Sequence, residues 1–222
     1  MSFDPSRRSP LTLHDLPRFT GDSLFNRLAR ALCPAECVPR KELYEAWEVA
    51  CRVRRRVRGG RVIDLACGHG LLAHVMLLID ATSERAIAVD VALPPSAAAI
   101  ADVLVAAWPR LEGRVTRLEG RLEDVTSARG DVVVSAHACG TLTDRTIDCA
   151  IAGRAHVAVL PCCQVLDGAD DGGLRGWLDG PLAIDVRRAT RLSAHGYSVH
   201  TVAIPAAITP KNRLLIGIAP KP

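Results

Sequence analysis

The spacing of hydrophobic residues changes character near residue 60. Residues 1–21 are polar, rich in Pro and Ser and without a period, which predicts a loose arm. From there Phe25, Leu28, Ala29 and Leu32 recur at helical spacing, with Asp22 or Ser23 as cap and Pro34 as terminator. A second helix is expected from about Pro39, with Leu43, Ala46, Trp47, Ala50 and Val53 on one face. Its tail, RVRRRVRGG, places cations in the last turn and glycine after it, both helix-stop signals.

After Gly60 short apolar runs alternate with helical stretches. Strands are predicted over 61–66, 86–91, 114–120, 131–136 and 156–163. Helices are predicted over 70–80, 96–108, 142–152 and 185–194. Residues 164–180, rich in Gly and Asp, read as a loop with a short helix near Trp177. Strands separated by helices pair in parallel, so the fold class is α/β with a doubly wound, mostly parallel sheet. The runs 197–204 and 213–219 have no helix between them and are too close for a crossover, so they form a C-terminal antiparallel hairpin. The chain therefore divides into the arm (1–21), a short helical N-terminal extension (22–58) and an α/β domain (59–222).

Composition narrows this picture modestly. Hydrophobic residues at 49% and charged residues at 23% fit a globular chain and exclude a disordered one. No apolar run reaches the roughly 18 residues of a membrane helix, and the N-terminus lacks a secretory h-region, so a soluble cytoplasmic protein is expected, without membrane partners. The net charge is +4, and only Lys41, Lys211 and Lys221 among the 28 basic residues are not Arg. The eight cysteines are expected to be reduced and mostly small buried hydrophobes.

The sharpest chemical signal is Val62-Ile63-Asp64-Leu65-Ala66-Cys67-Gly68-His69-Gly70, an apolar strand running into a glycine-rich turn before a helix. Asp90 ends the next strand, where a carboxylate can accept bonds from ribose hydroxyls. Gly68-His69-Gly70-Leu71-Leu72-Ala73 fits the G-x-G-x-x-[GA] dinucleotide fingerprint, which keeps an NAD-binding oxidoreductase open. The same stretch resembles motif I of the S-adenosylmethionine methyltransferases. That resemblance implies a Rossmann-like fold, with S-adenosyl-L-methionine as cofactor, Asp64 holding its methionine end and Asp90 its ribose. Ala66 stands where the motif's first glycine sits, and Gly68 and Gly70 supply the other two. Arg121 stands in place of the usual acid after the third strand, so the adenine contact passes to the backbone of Leu122 or to Asp124. The closing hairpin, and the lack of residues for a substrate domain, favour the methyltransferase.

The fourth strand is followed by His137-Ala138-Cys139-Gly140-Thr141-Leu142-Thr143-Asp144, the fifth by Pro161-Cys162-Cys163-Gln164. H-x-C-G-x-x-T-D with P-C-C resembles a methyltransferase-domain family that includes eukaryotic tRNA acceptor-stem 2′-O-methyltransferases. Lys41 and Glu45 resemble its pre-motif K-x-x-x-E, and Pro210-Lys211-Asn212-Arg213 its closing turn. The resemblance implies an RNA acceptor, to which the arginines between Arg52 and Arg61 add a basic stretch. A small-molecule or protein acceptor, or an inactive S-adenosylmethionine-binding module, are the alternatives. On the reacting face His137 is the one side chain with an ordinary pKa near 7, a candidate base that also borders the cofactor. Cys139 belongs to the same turn, and Asp144 either orients His137 or caps the following helix. His137, Cys139, Cys162 and Cys163 form a conceivable zinc set, but adjacent cysteines rarely share a metal and no C-x-x-C is present, so no metal is expected.

Overall fold

The computed structural model describes residues 4–221. Helix α1 (Leu24–Leu32) starts at Ser23, whose side chain accepts from Asn26 N, and α2 (Arg40–Arg54) follows Pro39. Then come β1 (Val62–Leu65), α3 (Leu71–Ile79), β2 (Ala86–Asp90), α4 (Ser96–Ala107), β3 (Val115–Glu119) and β4 (Val132–Ser135). The remainder is α5 (Thr141–Gly153), β5 (His156–Val159), α6 (Gly180–Ala194), β6 (Ser198–Ala203) and β7 (Arg213–Ile218).

The seven strands form one sheet in the order β3-β2-β1-β4-β5-β7-β6. The first five pair in parallel, and β7 runs antiparallel to both β5 and β6. Parallel strands covered on both faces must be apolar on both, and β1 and β4 are buried at every position. Alternate side chains enter opposite layers. Val62, Val132 and Val134 pack with α1, α2, α3 and α4, while Ile63, Leu65, Val133, Val157 and Val159 pack with α5 and α6. The switch in strand order between β1 and β4 opens a crevice at the carboxyl ends of the strands, the place where such sheets bind ligands.

One expectation about the N-terminal part is corrected. Among the described residues, 4–21 are not loose: Pro10 bridges Pro39, and Leu11 N donates to Val38 O at 2.8 Å. A 3-10 turn over Leu13–Arg18 buries Asp15, which receives Arg40 Nη2 at 2.9 Å. Leu11 and Phe19 are in the core. The arm lacks helical period because its apolar residues are used singly, as plugs. Helices α1 and α2 share one core with α3 and α4. Among the described residues no helix is long and apolar enough to cross a membrane.

Candidate active site

The turn after β1 is built from left-handed backbone. Ala66 (φ 53°), Gly68 (φ 54°) and Gly70 (φ 74°) alternate with ordinary residues, so the chain curls tightly before α3. Ala66 takes the conformation that the motif's glycine would take and carries the local strain of a Cβ there. At Gly68 a Cβ would meet nothing within 4 Å: the backbone there borders open space. Asp90 Oδ2 accepts from Gly68 N at 2.8 Å, which fixes the turn from the neighbouring strand. Asp64 Oδ2 accepts from Ala73 N at 3.1 Å in the first turn of α3. Burial pushes the Asp64 carboxyl up to about 7, the Ala73 bond opposing and the Asp90 charge assisting.

Apart from Gly70 and Ala73, these groups line one cleft of about 440 Å³, within the usual range for a small-molecule site. Asp64, Ala66, Gly68, Asp90, His137 and Cys139 all border it. A second hollow shares Ala66 and Asp90 and continues past Val91 to Gly120, Arg121 and Leu122. Leu122 lines it and Asp124 does not. Arg121 is exposed, with Nε 3.7 Å from Glu123, which also pairs with Arg145. A larger cavity between α6, β6 and β7 has neither the glycine-rich turn nor the His137 turn in its wall.

The turn after β4 is held from three sides. Ser135 Oγ accepts from Ala138 N at 3.2 Å, Thr143 Oγ1 donates to Ala138 O at 2.6 Å, and Gly140 N donates to Cys163 O at 3.1 Å. The last bond ties it to the loop after β5, as the parallel pairing of β4 and β5 requires. His137 is half-buried, with Nε2 3.9 Å from Glu45 Oε2. Glu45 is itself buried; Oε1 pairs with Lys41 Nζ at 2.8 Å, while Oε2 has no hydrogen-bond partner. Burial lowers the His137 pKa, against the carboxylates of Glu45 and Glu42, which raise it. Helix α2 thus sets Glu45 of the K-x-x-x-E pair against His137, while Glu42 of the same helix borders the cleft.

Two side chains here were not anticipated. Glu42 Oε2 lies 2.5 Å from His69 Nε2, and both border the cleft. Burial raises the Glu42 pKa, but the bond to His69 and the charges of His69, His137 and Lys41 bring it below its ordinary value. His69 could have been suspected from its place between two motif glycines. Glu42 carried only its i,i+3 relation to Glu45.

Asp144 does not do what was expected of it. Its two oxygens take Arg188 Nε at 2.9 Å and Nη2 at 2.8 Å, so it neither orients His137 nor caps α5, whose N-cap is Gly140. Cys139 Sγ is 3.0 Å from Cys162 Sγ at the edge of the cleft. The Pro210–Arg213 turn serves structure: Asn212 Nδ2 donates to Ile204 O at 3.0 Å and Arg213 Nε to Asp185 at 2.7 Å.

Residues 41–166 match the model of a family described as a methyltransferase domain. No curated protein matches the sequence. Among solved structures, an O-methyltransferase family protein from Burkholderia thailandensis superposes with a TM-score of 0.52 at 20% identity, over 96% of this chain and 64% of that one. The mitomycin 7-O-methyltransferase MmcR gives a TM-score of 0.53 at 16% identity, over 92% of this chain and 60% of its own. The chain therefore spans somewhat less than two thirds of these proteins, and at such identities the likeness is one of fold. The family match covers more than half of the chain and contains the glycine-rich turn, both strand-end carboxylates and the His137 turn, and on it the chain belongs to the methyltransferase domain family.

Proposed function

We propose that the protein transfers a methyl group from S-adenosyl-L-methionine to an acceptor at the mouth of the cleft, with RNA as the favoured acceptor. The observation that carries the reading is the convergence of Asp64, the open backbone at Gly68, Asp90 and His137 on one cleft at the carboxyl ends of β1, β2 and β4. Each suits a part of the cofactor. The open side of Gly68 leaves room for close backbone approach. One Asp90 oxygen is taken by Gly68 N, and the other serves the ribose hydroxyls. Asp64, a buried carboxyl with a pKa near 7, suits the cationic methionine end, whose charge would ionise it. Leu122 walls the adenine end.

When bound, S-adenosylmethionine supplies a methyl group on a sulfonium for in-line displacement. The chain supplies alignment, which dominates such transfers, and a place for the acceptor's proton. His137 stands at the mouth to receive it, and Glu45, with one oxygen anchored by Lys41, faces the imidazole and steadies it.

The RNA preference rests on the resemblance of the His137–Asp144 and Pro161–Cys163 motifs. The arginine stretch adds less than its sequence suggested. Arg54 is buried against Gly59, Ser83 and Asp80, Arg61 pairs with Asp131, and Arg52 pairs with Glu48. Arg55, Arg56 and Arg58 remain exposed. The test has two steps. Calorimetry with S-adenosylmethionine and NAD⁺ side by side should show binding of the first alone. Labelled methyl from S-adenosylmethionine should then enter the RNA fraction of a cell extract. Label in protein or small molecules would move the acceptor, and binding without transfer to any fraction would leave only a binding module.

A further inference from the structure

We propose that Cys139, Cys162 and Cys163 form a three-thiolate site for a soft metal ion, Zn²⁺, at the edge of the cleft. Their three sulfur atoms lie within 4.8 Å of one another, and Cys139 Sγ and Cys162 Sγ are 3.0 Å apart. Tetrahedral zinc with bonds of about 2.3 Å spaces its sulfurs by roughly 3.8 Å, so small side-chain rotations close the set. The adjacency of Cys162 and Cys163, which argued against a shared ion in the sequence, is no obstacle here, because both sulfurs lie within 4.8 Å of Cys139 Sγ.

The scaffold that gathers the thiols is independent of them. Gly140 N donates to Cys163 O, and Ser135 and Thr143 clamp the Cys139 turn, so bonds that involve no sulfur tie the two loops together beside the contacts of Cys162 Sγ with Cys139 Sγ and His137 O. Binding a dication replaces three S–H bonds with three metal–sulfur bonds. The three protons leave to solvent, and no electrons are transferred. An all-sulfur donor set selects Zn²⁺ over Mg²⁺ or Ca²⁺. Three protein ligands leave one tetrahedral position for a water or another outside ligand, the pattern of an open zinc site. Cys139 is shared by the cofactor cleft and the neighbouring hollow that holds Asp144, Val165 and Arg188, so the ion would sit on the border between them. This inference does not depend on S-adenosylmethionine binding.

The test uses the whole chain, reduced with a phosphine, desalted and titrated with Cd²⁺ as a spectroscopic stand-in and then with Zn²⁺ in competition. The expected result is a thiolate-to-cadmium absorption band that saturates at one ion per chain, is displaced by Zn²⁺, and is accompanied by proton release. C139S, C162S and C163S should each weaken binding by about a hundredfold or more, while C51S, on α2 and outside the cluster, should bind like the parent. Thermal melts confirm that the variants fold. Cys139 and Cys163 are exposed, so their substitution leaves the core intact even if C162S does not fold. A reduced parent that shows no band, or a band that survives in the C139S/C163S double variant, overturns the site. So does a thiol assay that finds a disulfide in freshly isolated protein with no ion taken up after reduction.

Discussion

Asp90 combines a structural duty with a proposed cofactor contact in one carboxylate, and its substitution should separate them. Asp90→Ala removes the acceptor for Gly68 N, worth roughly 1 kcal/mol of stability. It also removes the proposed charge-assisted bonds to ribose, so S-adenosylmethionine affinity in calorimetry should fall about tenfold or more; an unchanged dissociation constant would place the ribose elsewhere. Asp64 predicts a pH dependence. Its folded pKa is raised to about 7 from an ordinary 3.8, so between those values the folded chain keeps a proton that the unfolded chain has lost. Stability from this group is therefore lost as pH rises through that window. Buried His74, lowered to about 4, works the other way between about 4 and 6.5, so the readout is a difference. The melting temperature of Asp64→Asn relative to the parent should climb from pH 5 to pH 7.5, and a flat difference would refute the assignment. For His137→Ala the expectation is cofactor affinity close to the parent's and methyl transfer slower by roughly 10²–10⁴, read in single-turnover assays. Joint loss of affinity and melting temperature would instead make His137 a residue of the turn.

The helices flanking the reacting face are joined by one buried guanidinium. Arg188 on α6 donates to both oxygens of Asp144 on α5, to Asp185 on its own helix, and to Gly140 O in the His137 turn. A buried charge that loses a partner is costly, although Asp144 is partly exposed, which discounts its share. Asp144→Ala should therefore lower stability by about 2 kcal/mol in denaturant titration and leave cofactor affinity unchanged. A variant as stable as the parent but slow in methyl transfer would return Asp144 to the chemistry. Arg188 also shows why its contacts were hard to foresee: an arginine mid-helix reads as solvated surface until the fold places two carboxylates around it.

At the scale of the whole molecule, the N-terminal segment is a structural part of the α1–α4 layer. Leu11 and Phe19 are nearly or fully buried, and Asp15 pairs with Arg40 at the start of the helix that carries Lys41, Glu42 and Glu45. Deleting residues 1–21 should cost about 3–6 kcal/mol from those two side chains alone. Because it loosens the first turn of α2, the shortened chain should also lose methyl transfer out of proportion to cofactor affinity. A truncated protein that melts like the parent would restore the loose arm.

Strand and helix order, the parallel sheet with its antiparallel closing pair, and the cleft residues Asp64, Gly68 and Asp90 were all legible along the chain. The reason is local: period, glycine at left-handed positions and a carboxylate at a strand end are properties of neighbouring residues. Position 66 was legible too, as a departure whose left-handed backbone the structure makes visible. What depended on tertiary structure lies where distant segments meet. The docking of residues 4–21, the Glu42–His69 pair, the approach of Glu45 to His137, the diversion of Asp144 to Arg188 and the gathering of three sulfurs each join groups far apart in sequence, across strand order 3-2-1-4-5-7-6. No periodicity encodes such meetings; burial brings the groups together, and their charges and hydrogen bonds then determine the partners each one takes.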